Sequence, residues 1–174
     1  MFIRTKKIKK KAGIFEYAYI VENRRVWKTK IKQKSKKYLG RVYRPERKNI
    51  MDFYEFHSIS DVEKYVNTHS REEILNDLLK LELFNYGFKA NGLVWEKDGC
   101  FVDLPAKRAY NAKGKDIALA LNEGFLTGYA IKKLLEFRAE GEEDGYVFAK
   151  MFIEAGIAVP KDVFVGIFRK AMRQ

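Results

Sequence analysis

A single cysteine, Cys100, stands in 174 residues. That scarcity excludes an intramolecular disulfide and any zinc cage built on several thiolates. A reducing, cytoplasmic compartment is expected. Histidine is nearly as scarce: His57 and His69 are the only two, both in expected loops, with no third ligand to complete a metal site. Long apolar runs are missing too. No stretch reaches the roughly 18 apolar residues of a membrane span, and MFIRTKKIKKKAG is charged without a signal-type apolar run behind it. A soluble chain with no membrane partner follows. Gly-x-x-x-x-Gly-Lys-Ser/Thr, Gly-x-Gly-x-x-Gly and Gly-x-Ser-x-Gly do not occur, and Lys113-Gly114-Lys115 reads as a turn. No cofactor and no metal are expected.

Acidic residues are rare in one part of the chain only. Residues 1–48 hold three of them (Glu16, Glu22, Glu46) against 18 lysines and arginines, a net +15, while the whole chain carries +12. The charge therefore belongs to the head, and a field segregated in this way attracts a polyanion, most often nucleic acid.

Within that head, Phe2 to Ile8 reads as a strand and Lys9 to Gly13 as a basic turn. Ile14 to Glu22 is a second strand, with Phe15, Tyr17, Tyr19 and Val21 on one face. Asn23-Arg24-Arg25 is expected to turn the chain into a third strand through RRVWKTKIKQKSKK. At period 2 this strand sets Val26, Lys28, Lys30, Lys32, Lys34 and Lys36 on one side and Trp27, Thr29, Ile31, Gln33 and Ser35 on the other. Same-face residues rise by about 6.6 Å, close to the phosphate spacing of an extended strand, so the row can track a phosphodiester backbone or protect a sheet edge. The meander closes at Tyr38-Leu39-Gly40.

Phe2-Ile3-Arg4, Tyr17-Ala18-Tyr19-Ile20-Val21-Glu22 and the basic strand with Gln33 that closes on Lys37-Tyr38-Leu39-Gly40-Arg41 resemble the small N-terminal β-module of some insertion-sequence transposases. The resemblance covers residues 2–41. It implies a DNA-contacting module; the Asp-Asp-Glu catalytic domain of that family is not matched in the remainder.

Residues 49–57 read as a linker. Beyond it, Ser60-Asp61-Val62-Glu63 and Ser70-Arg71-Glu72-Glu73 are capping boxes that open helices near 61–68 and 71–86, the second ending at Gly87. Leu93 to Leu104 forms a hairpin on Asp98-Gly99, and a second hairpin is expected from Arg108 to Ala120. A helix is expected from Asn122 or Glu123 through Phe137, then helices over 143–155 and 161–172. The fold class is α+β: a three-stranded antiparallel meander followed by an α+β domain. The division is 1–48 as nucleic-acid module, 49–57 as linker and 58–174 as structural or partner-binding domain, which should fold without the head.

The function expected is non-enzymatic nucleic-acid binding, to DNA or RNA, with a possible ribosome or chromatin association. The site residues are Arg4, Lys6, Arg24, Arg25, Trp27, Lys28, Lys30, Lys32, Lys34, Lys36, Lys37, Tyr38, Arg41 and Arg44, with Tyr17, Tyr19, Trp27, Tyr38 and Tyr43 as stacking candidates. Lysine outnumbers arginine in the row, which favours point-charge phosphate contact over base reading. Two alternatives stand beside this. The first is a metal-dependent nuclease or transposase-derived DNA-processing protein, and Glu73, Glu96, Asp98, Asp103 and Lys107 are the groups such a nuclease would draw on. An adaptor would use the C-terminal half to hold a protein partner and the basic head as an anchor.

Overall fold

Aromatic and β-branched residues crowd the start of the chain, and the backbone there is extended, as their fit to a pleated surface requires. The structure, a computed structural model, describes the backbone of residues 2–27 and 30–172, and their side chains apart from 24–32. β1 (Phe2–Lys10), β2 (Gly13–Trp27) and β3 (Lys30–Tyr43) form the expected antiparallel meander. Its second connection lies later than expected. Asn23, Arg24 and Arg25 pair with Gln33, Lys32 and Ile31, and Trp27 pairs with Lys30. Arg24, Arg25 and Trp27 thus belong to β2 and not to the lysine strand. Asn23-Arg24-Arg25 contains no glycine for a tight hairpin turn, so pairing runs on through it. Lys28 and Thr29 lie outside the described residues.

β3 departs from strict alternation. Val21 faces Ser35 but Ile20 faces Lys37; Tyr19 faces Tyr38 but Ala18 faces Gly40. Lys36 and Leu39 are the extra residues of two β-bulges, each of which shifts the side-chain alternation by one. The period-2 lysine row therefore does not persist beyond Ser35.

The segment expected as a linker is structured. Lys48 and Asn49 donate backbone N–H groups to the Asn85 carbonyl (2.8 and 2.9 Å), and the Asn85 side chain bonds both the N–H and the carbonyl of Met51 (3.0 and 3.1 Å). Asp52 then caps α1 (Phe53–His57), whose Phe53 is buried in the main core. α2 (Val62–Thr68) is capped by Asp61, not by the Ser60 of the expected box. α3 (Arg71–Asn85) opens on the full Ser70–Glu73 capping box.

A second sheet follows, β4 (Lys89–Asn91), β5 (Val94–Lys97), β6 (Cys100–Asp103) and β7 (Arg108–Asn111), antiparallel throughout. Asp98 and Gly99 turn β5 into β6 with φ of 49° and 74°, the left-handed pair of a two-residue hairpin. The second expected hairpin is not formed. β7 and β8 (Ile117–Leu121) lie in different sheets and share no ladder; the turn between them is held by the Tyr110–Asp116 bridge. Residues 122–126 correct another expectation: Asn122, at φ 47°, turns the chain into β9 (Gly124–Leu126), and the helix waits for the Thr127 cap before α4 (Gly128–Glu136). Only glycine fits at 124, since a Cβ there would lie 2.2 Å from the Gly156 nitrogen and the Ile153 carbonyl. α5 (Asp144–Ala155) and α6 (Lys161–Met172) close the fold. The chain is α+β, and no helix among the described residues is long and apolar enough to cross a membrane.

The end of β3 does not stop at the head. Arg41, Val42 and Tyr43 pair in parallel with Ile117, Ala118 and Leu119 of β8, giving a five-stranded sheet of order β1-β2-β3-β8-β9. A boundary at 48 therefore cuts through the connection between two paired strands. One face of β8 and β9 (Ile117, Leu119, Leu121, Leu126) packs into the main core with the helices and the second sheet. The other face joins Ala18, Ile20, Leu39, Val42 and Ala118, with Phe125 and Tyr129 against them.

Candidate functional site

Cross-strand pairing decides which side chains of the head share a face. Arg4 pairs with Tyr19 and Lys6 with Tyr17 across β1 and β2; Tyr19 pairs with Tyr38 and Tyr17 with Arg41 across β2 and β3. These residues stand on one face together with Lys10, Phe15, Val21, Gln33 and Ser35. The two bulges bring Tyr38 and Arg41 there, three residues apart, beside Gln33 and Ser35. A strict alternation would have put Tyr38 among the lysines.

The face is a cluster of rings edged by cations. Tyr38 lies 5.4 Å from Tyr19 and 6.2 Å from Tyr17 between ring centroids, tilted against both, and is 53% exposed. The Lys10 ammonium sits 5.1 Å above the Tyr17 ring, and the Arg41 guanidinium 4.2 Å from the Phe15 ring and 5.2 Å from Tyr43. Tyr17, as side-chain partner and as a potential negative charge, raises the Lys10 pKa, so that group stays charged at neutral pH. Partial burial, and then the neighbouring Tyr17 and Tyr19, push the Tyr38 hydroxyl up, so it stays neutral. Arg4 donates to the side-chain oxygen of Gln33. Beside this pair lies a hollow of about 490 Å³ lined by Arg4, Lys6, Tyr19, Val21, Gln33 and Ser35.

Among the described residues of β1–β3, no acid stands on that face. Glu16 and Glu22 point to the other, where each is matched. Arg44 holds Glu16 through two nitrogens at 3.0–3.1 Å, and Lys36 holds Glu22 at 2.9 Å. Burial raises the Glu16 pKa, but hydrogen bonds from Thr5 and Arg44 outweigh it and hold the carboxyl below the usual range. Lys34 stands across from Glu22, and Lys37 sits 5.4 Å over the Tyr129 ring. The sequence-derived set is thus divided. Arg4, Lys6, Tyr38 and Arg41 share the tyrosine face; Lys34, Lys36, Lys37 and Arg44 lie on the face that carries the acids. Arg24, Arg25, Trp27, Lys30 and Lys32 are placed by backbone register alone, and Lys28 lies outside the described residues. Lys10, Gln33 and Ser35 were missed as site residues because only the bulges and the β1 register reveal their neighbours.

No protein-family model, curated protein or solved structure matches this chain. The reading of the site rests on its own chemistry. Cations spaced among open phenol rings can take phosphate oxygens while the rings lie against sugars or bases.

Four of the five groups set out for a nuclease have structural tasks, and the fifth, Glu96, is exposed on β5. Glu73 accepts the Ser70 N–H at 2.7 Å, and Asp103 accepts the Ala106 N–H at 2.8 Å. Lys107 pairs with Glu72 at 3.1 Å, and Asp98 occupies the β5–β6 turn. Among the described residues, no three His, Cys, Asp or Glu side chains are grouped to hold a metal. His57 Nε2 lies 3.0 Å from the Asp77 carbonyl and His69 Nδ1 2.8 Å from that of Tyr65, so each imidazole is tied to helix backbone. Burial pushes the Cys100 thiol up to about 11, which leaves it a small apolar group.

Proposed function

We propose that the chain binds nucleic acid, DNA or RNA, through the cation–tyrosine face of β1–β3. The observation that supports this reading most directly is the sorting of charge: Arg4, Lys6, Lys10 and Arg41 stand among Tyr17, Tyr19 and Tyr38 with no acid of the described β1–β3 residues on their side, while Glu16 and Glu22 lie opposite, engaged by Arg44 and Lys36. A solubilising surface mixes both signs. The net +15 of residues 1–48 supplies the long-range attraction, and the resemblance of residues 2–41 to a DNA-contacting module agrees with it. This reading moves the phosphate contact from the lysine row to the opposite face.

A salt series of binding affinities tests that shift. Lys6→Gln, Lys10→Gln and Arg41→Gln should each make the slope of log K against log salt shallower by about 0.7 to 0.9. Lys34→Gln and Lys36→Gln should leave it nearly unchanged. Equal losses from both groups would restore the row as the contact surface, and absence of binding to every nucleic-acid probe at low salt would end the proposal. An adaptor would draw on a groove of about 840 Å³ between α2 and α6, floored by Val62, Val66, Val165 and Gly166 and edged by Arg169 and Lys170. A protein partner on the C-terminal half would dock there.

A further inference from the structure

We infer that the tyrosine face takes single-stranded nucleic acid in preference to duplex, seating one unpaired base in the hollow between β1, β2 and β3 while a second base or its sugar lies on Tyr38. This rests on the nucleic-acid reading above and adds to it the strand state and the place of the base.

In a duplex the faces of the bases are stacked on one another, so a ring on a sheet surface finds no aromatic face to lie against; an unpaired strand offers one at every nucleotide. Tyr38, 53% exposed on β3 opposite Tyr19 of the central strand, is such a ring. The hollow next to it measures about 490 Å³, within the range of pockets that enclose small organic groups. Its walls divide the work of holding a base. Tyr19 and Val21 supply apolar surface, and Gln33 and Ser35 supply hydrogen-bonding groups at the far strand. The orientation of the Gln33 amide is fixed by its neighbour. A guanidinium can only donate, so Arg4 takes the amide oxygen and leaves the NH₂ of Gln33 to donate to an acceptor on the base edge. Arg4 and Lys6 are same-face neighbours on β1, about 6.6 Å apart along the strand, which suits successive phosphates flanking the seated nucleotide. Lys10 and Arg41 extend the cationic track past Tyr17 and Phe15.

The test compares fluorescence anisotropy of the full chain with a labelled single-stranded DNA of about a dozen nucleotides, the RNA of the same sequence, and the blunt duplex of each. Single strands should bind about tenfold or more tightly than duplexes at equal salt. Tyr38→Ala and Gln33→Leu should each weaken single-strand binding by about fivefold to tenfold, weaken duplex binding distinctly less and leave the thermal midpoint unchanged, while Tyr38→Phe keeps the single-strand affinity. Photocrosslinking of a 5-bromouracil strand should map to Tyr19 or Tyr38. Equal affinity for single-stranded DNA and RNA, or a preference for RNA through its 2′-hydroxyl, both support the site. Duplex binding equal to or tighter than single-strand binding overturns the inference and leaves the nucleic-acid reading standing, as does an equal loss of both affinities in the Tyr38→Ala and Gln33→Leu variants. No binding to any of the four probes overturns the reading itself.

Discussion

Glu82 is a carboxyl held where water does not reach it: it is 1% exposed, its Oε1 accepts the Ala158 N–H at 2.8 Å, and its Oε2 has no partner among the described residues. Burial raises its pKa; the hydrogen bond from Ala158, the nearby Asn122 amide and the charge of Arg47 only partly offset this. The sign of the pH effect follows. A carboxyl whose folded pKa lies above its unfolded one binds more protons in the native state across that interval. Its contribution is complete at low pH and is lost as pH rises through the folded value. Glu82→Gln keeps the oxygen that Ala158 uses and removes the titration. Thermal midpoints followed from about pH 4 to about pH 8 should therefore fall with pH in the parent relative to the variant, and parallel curves for the two would refute a buried, displaced Glu82. Nothing in LELFN announces this burden, because Glu82 sits at an ordinary helical position. Its burial comes from the 156–158 segment folding over α3, a contact made across 76 residues.

At the scale of elements, the legible parts were those with local chemistry. Ser70 with Glu73, Pro160 before α6 and Asp98-Gly99 each act within a few residues, and each stands where the sequence placed it. The bulges at Lys36 and Leu39 have no such signature, so the lysine strand could be recognised while its faces could not. Asn122 misled for a related reason: asparagine suits a helix cap and a left-handed turn equally well. Gly40 is the residue on which the β3–β8 pairing turns. Its φ is +129°, and a Cβ there would lie 2.3 Å from the Asp116 carbonyl oxygen; Gly13, at +122°, faces open space. Gly40→Ala should therefore cost about 2 kcal/mol or more and speed amide exchange at Ile117–Leu119. Gly13→Ala should cost less and leave those amides protected. Equal effects from the two would show that backbone strain alone, and not the β3–β8 approach, decides the outcome.

For the whole molecule, the main core draws its buried residues from 53–167, yet the sheet that faces it runs back into the head. Deleting 1–48 would strip β8 of its parallel partner and uncover Ala118, Ala120, Phe125 and Tyr129. The 49–174 fragment should keep a cooperative melt at a lower midpoint and associate in a concentration-dependent way through the bared β8 edge. A fragment with no cooperative transition would make the head part of one indivisible core, and a monomer as stable as the parent would restore the division at 48. This pairing was invisible in the sequence because Tyr43 and its partner Leu119 lie 76 residues apart with nothing local to link them. The same separation sets an order in time. During synthesis at about 5–20 residues per second, the strand ending at Tyr43 precedes its partner by roughly 4 to 15 s, and a meander formed in that interval would have its outer edge uncovered. Even in the finished fold, β3 before Arg41 has β2 on one side and no described strand on the other. Lysines spaced along such an edge repel a second copy of the same edge. The lysines of β3 that do not face the tyrosines lie on an edge that β8 leaves open, and there their charge would oppose pairing with a second copy in the young and the finished chain alike.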